Sequence, residues 1–155
     1  MTTQLEVAPI RQQVLVNVTP ERAFKVFTTG MHTWWLKSHS IGKSPLAEIV
    51  VEPKAGGLWA EVGEDGSRCQ WGRVLIWEPP SRLVLVWAIN SNWQYDPDLH
   101  TEVEVTFAPE GSATRVALEH RNLAAFGEHA ADIAATFASP GGWPGLLAAY
   151  EANAT

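Results

Sequence analysis

The residues of this 155-residue chain that could do chemistry are five histidines, one cysteine and eight tryptophans. His120 ends an alternating stripe, Val116-Leu118-His120, that points to the buried face of a strand. An imidazole there could anchor a ligand or transfer a proton near neutral pH. The plainer alternative is a histidine hydrogen-bonded within the core. Asp96-Pro97-Asp98-Leu99-His100 sets oxygen and nitrogen donors at alternate positions. No third or fourth ligand clusters with it, so no metal is expected and an Asp-Pro turn in a solvated loop is. Cys69 lies in a strand with no histidine near it in sequence, which fits a small buried thiol better than a nucleophile. There is no Gly-x-Ser-x-Gly elbow, and neither Gly56-Gly57 nor Gly141-Gly142 has P-loop spacing or its lysine. No cofactor is expected.

Tryptophan is the unusual quantity. Eight indoles can fill a solid core, or they can line a pocket with rigid faces that bind a ligand at low entropic cost. Facing sorts the candidates. Trp59 shares a strand face with Glu61, and Trp71, Arg73, Leu75 and Trp77 share another. Trp87 lies with Leu83 and Leu85. Phe27 and Trp35 come from early helices, and Trp93 from the polar, aromatic stretch Asn90 to His100. Trp143, Leu147 and Tyr150 come from the closing helix. With His120 these give a candidate ligand-binding set of Phe27, Trp35, Trp59, Trp71, Arg73, Trp87, Trp93, His120, Trp143, Leu147 and Tyr150, with no catalytic residue assigned.

The elements that position them are mostly strands. Ile10 to Val18 alternates, and Thr19-Pro20-Glu21 then supplies a helix cap, a first-turn proline and an acid at the positive helix end. The helix carries Ala23, Phe24, Val26 and Phe27 and stops at Gly30; a short second helix spans His32 to Leu36. After the polar loop Ser38 to Pro45, strands are expected at Glu48–Glu52, Leu58–Val62, Arg68–Glu78, Arg82–Ile89, Glu102–Phe107 and Thr114–His120, joined by turns. Leu123–Phe126 and Glu128–Ala138 read as helical. Ser139-Pro140-Gly141-Gly142 breaks the run before a last helix from Trp143 to Ala152. Trp143, Leu146, Leu147 and Tyr150 fall on one face of it. The short loops imply an antiparallel meander that curls to leave a concave face for this helix.

Composition narrows the function. Hydrophobic residues make up 46% of the chain and charged residues 18%, and the length fits one domain over residues 1–155. The net charge is −6 with Lys and Arg scattered, which argues against nucleic-acid and anionic-membrane partners. No apolar run approaches a membrane span of about 20 residues. Met1 to Pro9 has neither the apolar run nor the basic flank of a signal peptide, and the single cysteine suits a reducing cytoplasm.

Several segments occur in a familiar order. They are Thr19-Pro20-Glu21-Arg22-Ala23-Phe24, Trp34-Trp35, Pro53-Lys54-Ala55-Gly56-Gly57-Leu58-Trp59 and Gly72-Arg73-Val74. Trp77-Glu78-Pro79-Pro80, Trp87, Thr101-Glu102-Val103 and Gly142-Trp143-Pro144 come next. Over about Arg11 to Tyr150 the chain resembles the SRPBCC (START/Bet v 1-like) superfamily, in its activator-of-Hsp90-ATPase-homologue-like branch. The resemblance implies an α+β helix-grip fold: a curved antiparallel sheet of six to seven strands around a C-terminal helix, with two short N-terminal helices and a cavity between. It implies binding of a hydrophobic small molecule, with relatives of this branch that resemble resistance proteins for enediyne antibiotics. The expected function is non-enzymatic binding of a hydrophobic, aromatic small molecule in a stress or self-resistance setting. The alternatives are a co-chaperone-like interaction module and a cyclase or hydrolase using the same cavity. The Hsp90 activators carry an additional N-terminal domain for which this chain has no room, so a chaperone partner is the weaker expectation. A homodimer is left open. Candidate gates are the loop Ser38 to Pro45 and the break at Pro140 to Gly142.

Overall fold

The computed structural model describes residues 7–36 and 38–154. The expectation about a signal peptide in Met1 to Pro9 falls mainly on residues 1–6, outside the described residues. The chain opens with β1 (Ile10–Val16), α1 (Pro20–Phe27) and α2 (Met31–Trp34). Six strands come after these: β2 (Leu46–Val51), β3 (Leu58–Gly63), β4 (Arg68–Glu78), β5 (Arg82–Trp87), β6 (Thr101–Glu110) and β7 (Ala113–Arg121). A 3₁₀ segment (Leu123–His129), α3 (Ala130–Ala138) and α4 (Trp143–Ala154) complete it. All seven strands join one curled antiparallel sheet in the order β1-β7-β6-β5-β4-β3-β2. Thus β2 to β7 form the meander, and β1 returns to pair with β7 in the register Ile10 to His120. This is the helix-grip fold.

Local chemistry sets these elements. Thr19 caps α1 by accepting from the Arg22 N–H at 3.3 Å, with Pro20 at the first helical position. β6 alternates Thr101, Val103, Val105 and Phe107 inward, and β7 alternates Thr114, Val116, Leu118 and His120 inward. The helical end breaks between Ala138 and Trp143, where Pro140 and the two glycines stand. No helix among the described residues is long and apolar enough to cross a membrane.

β4 departs from simple alternation. Its register slips against β3 at Trp71 and against β5 at Leu75. Each bulge places two residues opposite one and shifts the alternation of the strand beyond it. Directly opposed residues share a face, so Gly72 goes with Trp87, Val74 with Leu85 and Trp77 with Leu83, all inward. Arg73 pairs with Val86 on the outer face, and Leu75 is exposed. The expected common face for Trp71, Arg73, Leu75 and Trp77 is therefore corrected: Trp71 and Trp77 point in, Arg73 and Leu75 do not.

On the outer face, Val84 and Val86 are fully buried beneath a chain of polar side chains. Arg73 Nη2 donates to His100 Nδ1 (3.3 Å), and His100 Nε2 donates to Glu102 (2.7 Å). Arg121 bridges Glu102 (2.9 Å) and Glu104 (2.5 Å), and Arg82 donates to Glu104 (2.5 Å). The hydrogen bond from His100 holds the Glu102 carboxyl below its ordinary range, and that from Arg82 does the same for Glu104.

At Gly72 the backbones of β4 and β5 approach very closely. A Cβ on Gly72 would overlap the Val86 carbonyl oxygen. Gly72→Ala is therefore expected to destabilise by about 3 kcal/mol, because the obstacle is backbone rather than a movable side chain. Urea unfolding measures it, and a cost below about 1 kcal/mol would show that the strands can part without loss.

Candidate functional site: an indole-walled cavity

The space between sheet and helices is filled at one end and hollow at the other. At the filled end Phe24, Phe27, Trp34, Trp77, Phe107 and Tyr150 form a continuous aromatic cluster, with ring centroids 4.9–5.9 Å apart. These separations suit edge-to-face packing. Tyr150 closes this end by donating its hydroxyl to the Ala23 carbonyl at 2.7 Å. Burial pushes its phenol pKa upward, so it stays a donor.

At the other end five indoles form a closed ring. Trp35 neighbours Trp71 (5.0 Å), which neighbours Trp59 (5.5 Å), then Trp87 (5.7 Å), Trp143 (5.9 Å) and again Trp35 (6.0 Å). Beside this ring lies a cavity of about 390 Å³, within the size range of small-molecule sites. Its wall includes Trp35, Trp71, Trp87 and Trp143, with Ile41, Ile89, Phe137 and Leu146 between them. Trp93, 46% exposed, stands at the rim. It has a left-handed backbone (φ 59°), costly for a bulky residue. Asn90 holds that turn: its carboxamide oxygen accepts from the Asn92 and Gln94 N–H groups at 3.0 and 3.1 Å.

Each of the four walled-in indoles spends its N–H on protein. Trp35 donates to the His39 carbonyl (3.0 Å), Trp71 to Glu61 Oε1 (2.9 Å), Trp87 to the Ile89 carbonyl (3.1 Å) and Trp143 to His120 Nδ1 (3.1 Å). The cavity is left with π surface and apolar edge. Ser38, His39, Ser40 and Thr136 supply the polar side chains of the wall, and His39 meets Gly141 there. This is the contact between the two expected gates: His39 Nε2 donates to the Gly141 carbonyl at 2.5 Å and so ties the Ser38 loop to the α3–α4 joint.

His120 does not reach the cavity. It is fully buried and stacks on Phe137 with centroids 4.7 Å apart. An indole N–H can only donate, so Trp143 requires an unprotonated Nδ1 and leaves the proton on Nε2. Nε2 then donates to Thr101 Oγ1 (3.0 Å), whose hydroxyl donates to the Trp87 carbonyl (2.8 Å). Burial without a charged partner lowers the imidazole pKa to about 3.

Glu61 is buried as well. Its Oε1 accepts from Trp71 and from the Ile41 N–H (2.6 Å), pinning the Ser38 loop to β3. Its Oε2 and the Trp59 indole N–H are buried without a protein partner among the described residues. Cys69 nearby has its thiol pKa raised by burial and then by the Glu61 charge, which keeps it protonated and unreactive.

Of the sequence-derived candidates, Trp35, Trp71, Trp87, Trp93 and Trp143 are brought together around the cavity. Phe27 and Tyr150 pack in the filled end, Leu147 is buried off the wall, Trp59 stands behind Trp71 and Trp87, and Arg73 lies on the outer face. His39 and Phe137 were not foreseen. The signal for His39 was its place in the candidate gate Ser38 to Pro45, and for Phe137 its place just before the helix break.

Fold and cavity together define a helix-grip protein with a small-molecule-sized site. The chain belongs to the activator of Hsp90 ATPase homolog 1-like family, whose model matches residues 17–149. Among solved structures it is similar to an anthrahydroquino-γ-pyrone synthase, Txn09, at 39% identity, covering 97% of this chain and 98% of that one (TM-score 0.67). It is also similar to CalC, a self-sacrificing resistance protein from Micromonospora echinospora, at 30% identity over 95% and 94% of the two chains (TM-score 0.69). The Aha1 dimer of Colwellia psychrerythraea shares the fold at 16% identity over 94% of each chain (TM-score 0.62). No curated protein matches the sequence.

The state of His120 has a measurable pH signature. Above about pH 6.5 both folded and unfolded chains carry it neutral, and it adds no pH dependence. Below that, the unfolded chain takes up a proton that the folded chain refuses until about pH 3, so stability falls as pH falls. The loss between pH 7 and 5 is expected to be about 2 kcal/mol. Glu102 and Glu104, with depressed values, add their own loss only below about 4.5. Urea unfolding across this window should show the slope in the wild type and not in His120→Gln. Equal slopes in both would mean His120 is not the group held neutral.

Proposed function

We propose that this chain acts as a single cytoplasmic domain that binds a planar, hydrophobic aromatic molecule of polyketide size in the indole-walled cavity. The observation that carries the reading is the donor bookkeeping of the wall. Four indoles face a 390 Å³ space with every N–H already satisfied elsewhere. Such a wall rewards flat apolar surface at about 25 cal/mol per Å² before ordering costs and offers little to a compact polar solute. Trp35, Trp71, Trp87 and Trp143 would contact the ligand, Trp93 would cover its exposed edge, and Trp59 and His120 would support the wall from behind. Similarity to a γ-pyrone synthase and to a resistance protein supports an aromatic natural product over a chaperone client. A protective role, by sequestering such a compound, is the functional setting we favour. The lone cysteine suits a reducing compartment. Self-association as a homodimer belongs with this reading as a proposal, a relative being a dimer.

A second reading, ring closure on the bound molecule, is favoured by the 39% identity with the synthase over nearly the whole of both chains. It shares the same cavity and ligand class.

Titration with 1,8-dihydroxyanthraquinone is expected to quench tryptophan emission saturably and raise the melting temperature. Trp71→Ala should weaken binding at least about tenfold, equivalent to about 1.4 kcal/mol. Phe27→Leu, in the filled end, should leave affinity within about twofold despite its cost in stability. Absence of quenching and of thermal shift across a panel of planar aromatics would overturn the proposal.

A further inference from the structure

The cavity contains a placed base. Among the described residues, His39 is the only titratable side chain on its wall. Two contacts orient the ring. A carbonyl oxygen can only accept, so the 2.5 Å contact with Gly141 puts a proton on Nε2. When the ring is neutral, Nδ1 is then its lone-pair nitrogen, and Ser38 Oγ, 3.0 Å away, is placed to donate to it. The backbone is held too, because the Trp35 indole donates to the His39 carbonyl. An imidazole oriented through one nitrogen, with the other free to accept, is the arrangement of a general base and its orienting partner.

The occupant of Nδ1 can be displaced. Ser38 is exposed, so its hydroxyl turns to water without leaving a buried group unpaired. His120 contrasts at every point: it has no exposure, both nitrogens are committed to buried partners, and it lies off the wall.

We infer that His39 Nδ1 is the proton-transfer atom of this cavity, acting on an acidic C–H or O–H at the edge of a planar aromatic bound against the indoles. The inference rests on the cavity reading above and deepens it by naming the substrate class: an aromatic with an ionisable edge lying toward Ser38, His39 and Ser40. In this arrangement Nδ1 takes the proton, the Gly141 carbonyl steadies the imidazolium through Nε2–H, and the proton returns to product or solvent.

A probe reaction tests this without the natural ligand. 5-Nitrobenzisoxazole is flat and aromatic and opens when a base removes its C3 proton. The C–H electron pair becomes the third bond of a nitrile, the N–O bond breaks with its pair staying on oxygen, and coloured 2-cyano-4-nitrophenolate forms. Nδ1 holds the proton and then releases it to water. The wild-type chain is expected to accelerate opening saturably, by about 100-fold over buffer. His39→Gln retains an N–H donor for Gly141 but no base; it should bind the probe, read by tryptophan quenching, and lose at least about tenfold in kcat. His129→Gln, exposed and remote from the cavity, should keep the wild-type rate. Quenching without acceleration in the wild type overturns the assignment of His39 and leaves the binding reading standing. So does a rate kept in His39→Gln and lost in His120→Gln. No quenching by the wild type removes the cavity reading, and this inference with it.

Discussion

The structure depends on one buried chain of hydrogen bonds with a fixed direction. It runs from the Trp143 indole to His120, on to Thr101, and ends at the Trp87 carbonyl. Every link is buried, so each donor must find its acceptor or leave a costly unpaired group. The direction permits one tautomer of a neutral ring. Desolvation supplies that neutrality. The chain joins the start of α4 to β7, β6 and β5, and two of the indoles it positions are walls of the cavity. A histidine that looks catalytic by type is therefore the structural pin that lets other residues form a site.

A void of this size is tolerated because the work is divided along the groove. Interiors pack to near-crystal density, and unfilled volume costs stability. The aromatic cluster from Phe24 to Tyr150 packs ring against ring, while the other end is held open by a frame of indoles. Four of the five indoles are braced twice, by their neighbours in the ring and by a hydrogen bond from their own N–H; Trp59 is held by its ring neighbours. The outer face meets a different constraint with the same economy of parts. There Arg82, Glu104, Arg121 and Glu102 form a charged roof over Val84 and Val86.

Much of this was legible in the sequence, and the failures have physical causes. Alternation gave the buried faces of β6 and β7, Thr19-Pro20 gave the start of α1, and Pro140 with two glycines gave the break before Trp143. Arg73 was misplaced because alternation assumes an unbroken ladder, and the bulges at Trp71 and Leu75 each reset it. Nothing in residue type alone marks a bulge at a tryptophan. Phe27, Leu147 and Tyr150 were assigned to the correct face, but periodicity is blind to position along the groove, and these three lie away from the hollow end. His39 was missed because a loop has no period to read. Its role comes from meeting Gly141, 102 positions later in the chain.

The pairing of β1 with β7 also bears on how the molecule comes into being. β1 is made first, yet its partner in the sheet is the last strand to be made. Tyr150 and Ala23, which lock the filled end, are 127 residues apart. On the ribosome, β1 and the amphipathic α1 must wait with apolar faces uncovered while six strands are added. Contacts so distant in sequence make for slow closure and a long window of exposure. The wall residue Trp143 arrives after every strand. The wall of the cavity is thus completed only after the whole sheet has been made, and no nascent fragment ending before α4 can present it.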